Sequence, residues 1–170
     1  MPDLKMQIDD APLVHGPQIE NLSGALSFRI SRLAAINERN GSHHFRNQLG
    51  VSLSEWRVIG LVAESEPMLT STLREILVMD HGLLSRVVKE LIARGLLSSQ
   101  ACQTDKRQIE LTLTSEGRRL HNDCISFTIE RNAVMASVLS PDEQAELNRL
   151  LDVMIAHNAT LLKSKQDPRS

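Results

Sequence analysis

Asp80–Thr114 reads DHGLLSRVVKELIARGLLSSQACQTDKRQIELTLT. Leu84, Val87, Val88, Leu91 and Ile92 recur at helical spacing and would bury one face of a helix. Leu83, Ser85, Arg86, Lys89 and Arg94 are spread around the rest, so the exposed side is polar and mostly basic. The Asp80 carboxylate can cap the first turn, and Gly95 can take the left-handed position that ends a helix. This bounds an element of about 14 residues. Beyond it Leu96 and Leu97 begin an extended segment, and Ile109, Leu111 and Leu113 alternate with Gln108, Glu110 and Thr112 as in a half-buried strand. A loop from about Ser98 to Arg107 is expected between the two strands.

An amphipathic helix, a glycine stop and a hairpin with charge at its tip are the layout of a winged helix-turn-helix. The flanks agree. Ser52 and Glu55 form a capping box with Val51 and Trp56 placed as a hydrophobic staple, so a helix should start at Leu53 and end near Ser65. Pro67 interrupts, Thr70 or Thr72 can cap a short helix through Leu77, and Val78-Met79 make the turn before Asp80. Upstream, Ile19, Leu22, Leu26, Ile30, Leu33 and Ala34 make an apolar stripe, read as one long helix from Pro17 to about Phe45. Downstream, Thr114 opens a long helix that must stop before Pro141. Ser140-Pro141-x-Glu143 is another capping box, starting a last helix that runs to about Lys163. Leu147, Leu150, Leu151, Met154, Leu161 and Leu162 line one side of that helix, more apolar surface than the edge of a small core requires.

The predicted fold is therefore mainly α with a small β-wing. Residues 48–114 form a winged helix-turn-helix lobe, residues 17–47 and 115–165 are long helices suited to dimerisation, and residues 1–16, with Pro2, Pro12 and no clear period, form an N-terminal arm. The composition agrees: aromatic residues are only 2% of the chain, so a core drawn from 41% hydrophobic residues must be aliphatic, a mix that favours helices.

The chain resembles the MarR family of bacterial transcriptional regulators. The resemblance is carried by Leu53, Trp56 and Leu61, then Leu73, Ile76 and Leu77, then Asp80, Arg86, Leu91 and Gly95-Leu96-Leu97. Asp105-Lys106-Arg107 matches the family's Asp-x-Arg wing motif, and Leu113-Thr114-x-x-Gly117 matches the Leu-Thr-x-x-Gly that leads into the next helix. The resemblance implies a homodimer, interlocked through the first, fifth and sixth helices, that reads double-stranded DNA at a palindromic operator. It implies that Arg107 enters the minor groove while Asp105 holds its guanidinium, with Lys106 beside it. Gly82, Leu83, Ser85, Arg86 and Lys89 would face the major groove. It also implies a small effector of the phenolic or aromatic acid class, with Phe28, Arg29, His44, Trp56, Arg57 and Met79 as candidate ligand-binding residues. The most direct reading is a repressor released by such a ligand. Two alternatives stay open: a helical dimerisation or scaffold module without DNA binding, and a redox-responsive regulator using Cys102.

A net charge of −2 is unusual for a protein that meets a polyanion, but the distribution matters more. From His81 to Arg107 five basic residues face two acidic ones, a local +3 that leaves −5 elsewhere. Screening beyond about 10 Å means that phosphates sense the local charge.

Two departures from the family pattern bear on base reading. Where small hydroxyl residues usually open the reading helix, this chain has His81, Gly82 and Leu83. Leu83 can press on a thymine methyl or simply pack, and Ser85 can bond a base or a phosphate. Where arginines commonly stand near the base of the wing, this chain has Ser99 and Gln100, so fewer phosphate contacts and weaker salt dependence are expected.

Other chemistry is poorly supplied. The six histidines are scattered, no pair stands at a catalytic spacing with an acid or nucleophile, and no phosphate-cradling glycine loop occurs. No enzyme activity, cofactor or metal is expected. Adjacent His43 and His44 point apart on a helix, and Cys102 and Cys124 lack metal-ligand spacing. No apolar run reaches the ~20 residues of a membrane span, and the first residues carry acids where a signal peptide needs basic residues, so a cytoplasmic location is expected.

Overall fold

A computed structural model describes residues 19–164, which fall into two units, one ending at His44 and one beginning at Phe45. The arm expected over residues 1–16 lies outside the described residues, as do the last positions of the chain.

In the first unit the stripe that begins at Ile19 is not one continuous helix. The Asn21 side chain accepts from the Gly24 N–H at 3.0 Å, which winds Leu22–Gly24 into a single 3-10 turn, and Ala25 follows in an extended conformation. Only then does α1 (Leu26–Asn47) start. Periodicity could not reveal this, because Leu22 and Leu26 keep helical spacing across the interruption. Leu26, Ile30, Leu33 and Ile36 are all exposed along α1.

In the second unit α2 (Leu53–Glu64) begins at the expected capping box: Ser52 N–H donates to Glu55 Oε2 at 2.6 Å and Glu55 N–H to Ser52 Oγ at 3.2 Å. Val58, Ile59 and Val62 form its buried face. A two-residue strand, β1 (Met68–Leu69), then leads directly into α3 (Thr70–Leu77). The N-cap of α3 is Leu69, without a side-chain hydrogen bond, so neither Thr70 nor Thr72 caps it as expected. The chain enters this helix from a strand already hydrogen-bonded on its flank. Val78, at φ 49°, takes the left-handed position that turns the chain out of α3.

Asp80 Oδ1 accepts from Leu83 N–H at 2.8 Å and opens α4 (His81–Ala93). Leu84, Val87, Val88 and Leu91 are buried as the spacing predicted, Ile92 packs partly against the same core, and Gly95 carries the positive φ (68°) beyond the helix end. The hairpin consists of β2 (Leu97–Ala101) and β3 (Ile109–Leu113), paired from Leu97↔Leu113 to Ala101↔Ile109. Strand β2 thus extends to Ala101, and the loop is shorter than the span expected from Ser98. The residues of β2 after Leu97 are all exposed, so no apolar alternation marked them as strand. On its other edge β3 pairs with β1, Met68 opposite Leu111, giving a three-stranded antiparallel sheet in the order β1-β3-β2. Leu111 and Leu113 are buried, whereas Ile109, nearer the tip, is exposed.

Thr114 joins the hairpin to α5 (Ser115–Ala136). Its hydroxyl oxygen accepts from Gly117 N–H at 3.0 Å while its hydroxyl donates to the Gly95 carbonyl at 2.7 Å. Cys124 on α5 is fully buried, and burial first, then the Asp123 charge, pushes its thiol pKa up to about 11. The last helix, α6 (Pro141–Ser164), starts at the capping box formed by Ser140 and Glu143, and none of its residues is buried. Leu147, Leu150, Val153, Ile155, Leu161 and Leu162 remain exposed.

Candidate nucleic-acid interface

Helix α4 is held from within, which leaves its outer face available. With Leu84, Val87, Val88 and Leu91 turned inward, Gly82, Ser85, Arg86, Lys89, Glu90 and Ala93 line an open depression of about 500 Å³ along α4. Four of the residues predicted to read DNA therefore share one surface. Leu83 is also exposed, and its backbone N–H is taken by Asp80 rather than left for a ligand. Among the described residues no hydrogen bond or ion pair engages the Arg86 or Lys89 side chain.

The wing tip is ordered by its own polar groups. Asp105 Oδ1 accepts from the backbone N–H of Arg107 at 3.0 Å, and Asp105 Oδ2 from the Gln108 side-chain amide at 3.3 Å. Gln108 N–H donates to the Asp105 carbonyl at 2.9 Å, and Ser71 on α3 donates to Gln108 Oε1 at 2.9 Å. These bonds correct the role expected of Asp105. Its carboxylate holds the main chain at the tip and leaves the Arg107 guanidinium unengaged among the described residues. A loop fixed in this way presents Lys106 and Arg107, both exposed, at low ordering cost.

Arg94 departs from the sequence reading. Instead of adding to the open basic surface, its guanidinium donates to Glu55 Oε1 at 2.8 Å and to the Gly50 carbonyl at 2.9 Å. At the wing base, Gln100, one of the two positions that lack arginines, donates across the strands to Glu110 at 3.0 Å, and Ser98 beside Ser99 shares a 2.7 Å bond with Thr112.

The predicted ligand residues are divided between the units: Phe28, Arg29 and His44 belong to the first, and Trp56, Arg57 and Met79 to the second. Trp56 stacks on Phe45 with ring centroids 6.0 Å apart and lies 5.6 Å from the His121 ring. Phe127 meets Phe45 edge-on at 5.2 Å. Arg57 is exposed, and Met79 packs partly against the core. Sequence reasoning missed Phe45, His121 and Phe127 as the surroundings of the indole. The apolar positions of α5 do not fall on one clear stripe, so nothing local marked those residues. Cys102 is 8% exposed, with Sγ 3.2 Å from the Thr104 hydroxyl, a thiol that offers little surface to an oxidant.

A helix-turn-helix with an exposed basic face, followed by an ordered hairpin with lysine and arginine at its tip, makes a winged helix-turn-helix, a layout that suits contact with a nucleic acid. A family model described as "MarR family" matches residues 49–108, from the turn before α2 to the wing. The chain is similar to the HTH-type transcriptional regulator FarR of Neisseria gonorrhoeae, 28% identical over 105 residues that cover 62% of this chain and 72% of FarR. Its fold is that of a MarR/EmrR family regulator from Acinetobacter sp. ADP1, with 24% identity, a TM-score of 0.75 and coverage of 82% of this chain and 99% of the other. It is also that of the PcaV regulator of Streptomyces coelicolor, solved in complex with its natural ligand, with 22% identity, a TM-score of 0.70 and coverage of 82% and 98%. Among the described residues no helix is long and apolar enough to cross a membrane.

Proposed function

We propose that this chain is a homodimeric repressor, acting in the cytoplasm, that binds a palindromic operator and is released by a small organic acid. The observation that carries the DNA-binding part is the pairing of two unengaged basic elements, Arg86 and Lys89 on α4 and Lys106 and Arg107 at the ordered wing tip. In this reading α4 enters the major groove with Gly82, Leu83 and Ser85 at the base edges, and Arg107 enters the minor groove. The homodimer accounts for the apolar residues left exposed on α1, α5 and α6, which a second copy would cover. A two-fold pair reads two half-sites, which implies an inverted repeat.

A gel shift on the region upstream of the protein's own gene tests the reading. Arg107→Ala is expected to weaken binding about tenfold while far-UV circular dichroism stays unchanged, because the side chain is exposed and makes no hydrogen bond or ion pair among the described residues. Unchanged affinity would mean that the wing does not reach DNA.

Effector release follows from linkage. A ligand that prefers the form unable to place both reading helices about 34 Å apart shifts the population away from DNA, and a hundredfold preference amounts to about 2.7 kcal/mol. The PcaV complex supports a ligand-responsive reading, and the aromatic surroundings of Trp56 suit a flat acid. Trp56 is the only tryptophan, so its fluorescence is expected to change when a benzoic or phenolic acid from a test panel releases DNA. Release with unchanged emission would place the effector away from the indole.

A further inference from the structure

We propose that Arg94 is a positioning residue for DNA reading, a clamp that fixes the far end of the reading helix to the start of α2, and not a phosphate contact. The inference rests on the DNA-binding reading above.

Three observations carry it. The first is that both terminal nitrogens of the guanidinium are committed in different directions, one to the Glu55 carboxylate at 2.8 Å and one to the Gly50 carbonyl at 2.9 Å. A planar fork can hold two such acceptors at once, and a lysine ammonium cannot hold them in the same geometry. The second is that Glu55 is shared: its other oxygen accepts the Ser52 N–H at 2.6 Å, so the carboxylate that starts α2 also receives the residue that ends α4. The Glu55 side chain is only 12% exposed, so swinging Arg94 toward a phosphate would strand a largely buried anion. The third is distance along the helix. Arg94 follows Gly82 by 12 positions, about 18 Å of axial rise, whereas reading helices contact bases with their N-terminal residues.

The consequence is a helix pinned at both ends, by Asp80 at the reading end and by Arg94 at the other. Gly50 and Gly95, beside the clamp, both hold positive φ. The clamp therefore spans two turns, and its loss lets the axis of α4 tilt on its apolar face. Tilt degrades base contacts, which need ångström placement, more than it degrades charge attraction, which does not.

The test uses the full chain, a labelled duplex bound by the wild type in the gel shift, and a scrambled duplex of equal length, by fluorescence anisotropy across a NaCl series. Arg94→Ala is expected to lower affinity for the specific duplex about tenfold and for the scrambled duplex less than about twofold, with the slope of log K against log salt unchanged. Arg94→Lys should lose part of the difference. Glu55→Gln, which keeps an acceptor for Ser52, should show a similar loss, and Arg94→Ala/Glu55→Gln no further loss than either alone. A slope reduced by about 0.9, with both duplexes weakened equally, would identify a phosphate contact and overturn the proposal. Strictly additive losses, or unchanged specific affinity, would also overturn it. Should Arg94→Ala not fold, Arg94→Lys and Glu55→Gln decide on the same criteria. A wild type that binds both duplexes equally would remove the functional reading itself, an outcome seen before any variant is measured.

Discussion

Gly117→Ala lowers the melting temperature by about 10 °C, the expected result of placing a methyl group where the chain has no room. A Cβ at Gly117 would lie 2.1 Å from the Leu96 carbonyl oxygen and 3.1 Å from its carbon. That oxygen cannot move freely, because it accepts from Thr114 N–H at 3.2 Å and lies 3.3 Å from the Thr114 hydroxyl. The first turn of α5 must therefore separate from the strand entry after α4, opening the buried contacts of Leu96, Leu97 and Leu113. Overpacking a tight site costs about 3 kcal/mol, near 10 °C in a chain of this size. Thermal unfolding followed at 222 nm measures it. Gly60→Ala is the control: the nearest atoms to its added methyl would be those of the Trp56 ring, at 3.6 Å and beyond, an ordinary contact, and alanine favours a helix interior. Equal melting temperatures for the two variants would show that the close approach at Gly117 does not constrain the fold.

Replacing Leu147 and Leu150 together by aspartate should convert a dimer to a monomer and reduce operator affinity by about a hundredfold or more. Both side chains stand on the exposed stripe of α6, Leu147 at 42% and Leu150 at 44% exposure among the described residues. A second copy that buries two leucines gains about 3–6 kcal/mol from them, and two carboxylates in the same place add a desolvation penalty. Helical content should be unchanged, since neither residue belongs to the core. Sedimentation velocity at micromolar concentration reads the outcome. A double variant that remains dimeric would place the interface on another surface.

The parts of this fold legible in the sequence are those set by neighbours three or four positions apart. The Ser52–Glu55 box, the Asp80 cap, the Thr114 cap and the Ser140–Glu143 box all close through bonds between residues three apart, and each sits where the sequence placed it. The buried face of α4 followed from spacing alone. What could not be read lies between distant positions. Strand β1 has two residues and exists because Met68 meets Leu111; without that pairing it is two apolar residues after a proline. Arg94 looked like one more exposed cation because its partner Glu55 lies 39 positions away. The aromatic surroundings of Trp56 come from Phe45 and from His121 on α5, and neither has a sequence signature that points to the indole. Asn21 marks an intermediate case: a local bond breaks the first helix, yet the apolar stripe passes through it unchanged.

The central claim is that two copies of this lobe read DNA with α4 and the wing. Selection of bound duplexes from a random-sequence pool by the full-length protein, followed by sequencing, tests it most directly. The account predicts an enriched inverted repeat whose half-sites are centred about 10 base pairs apart, with A·T-rich flanks where Arg107 meets the minor groove. Enrichment of a single unpaired half-site, or no enrichment over the input pool, would contradict it.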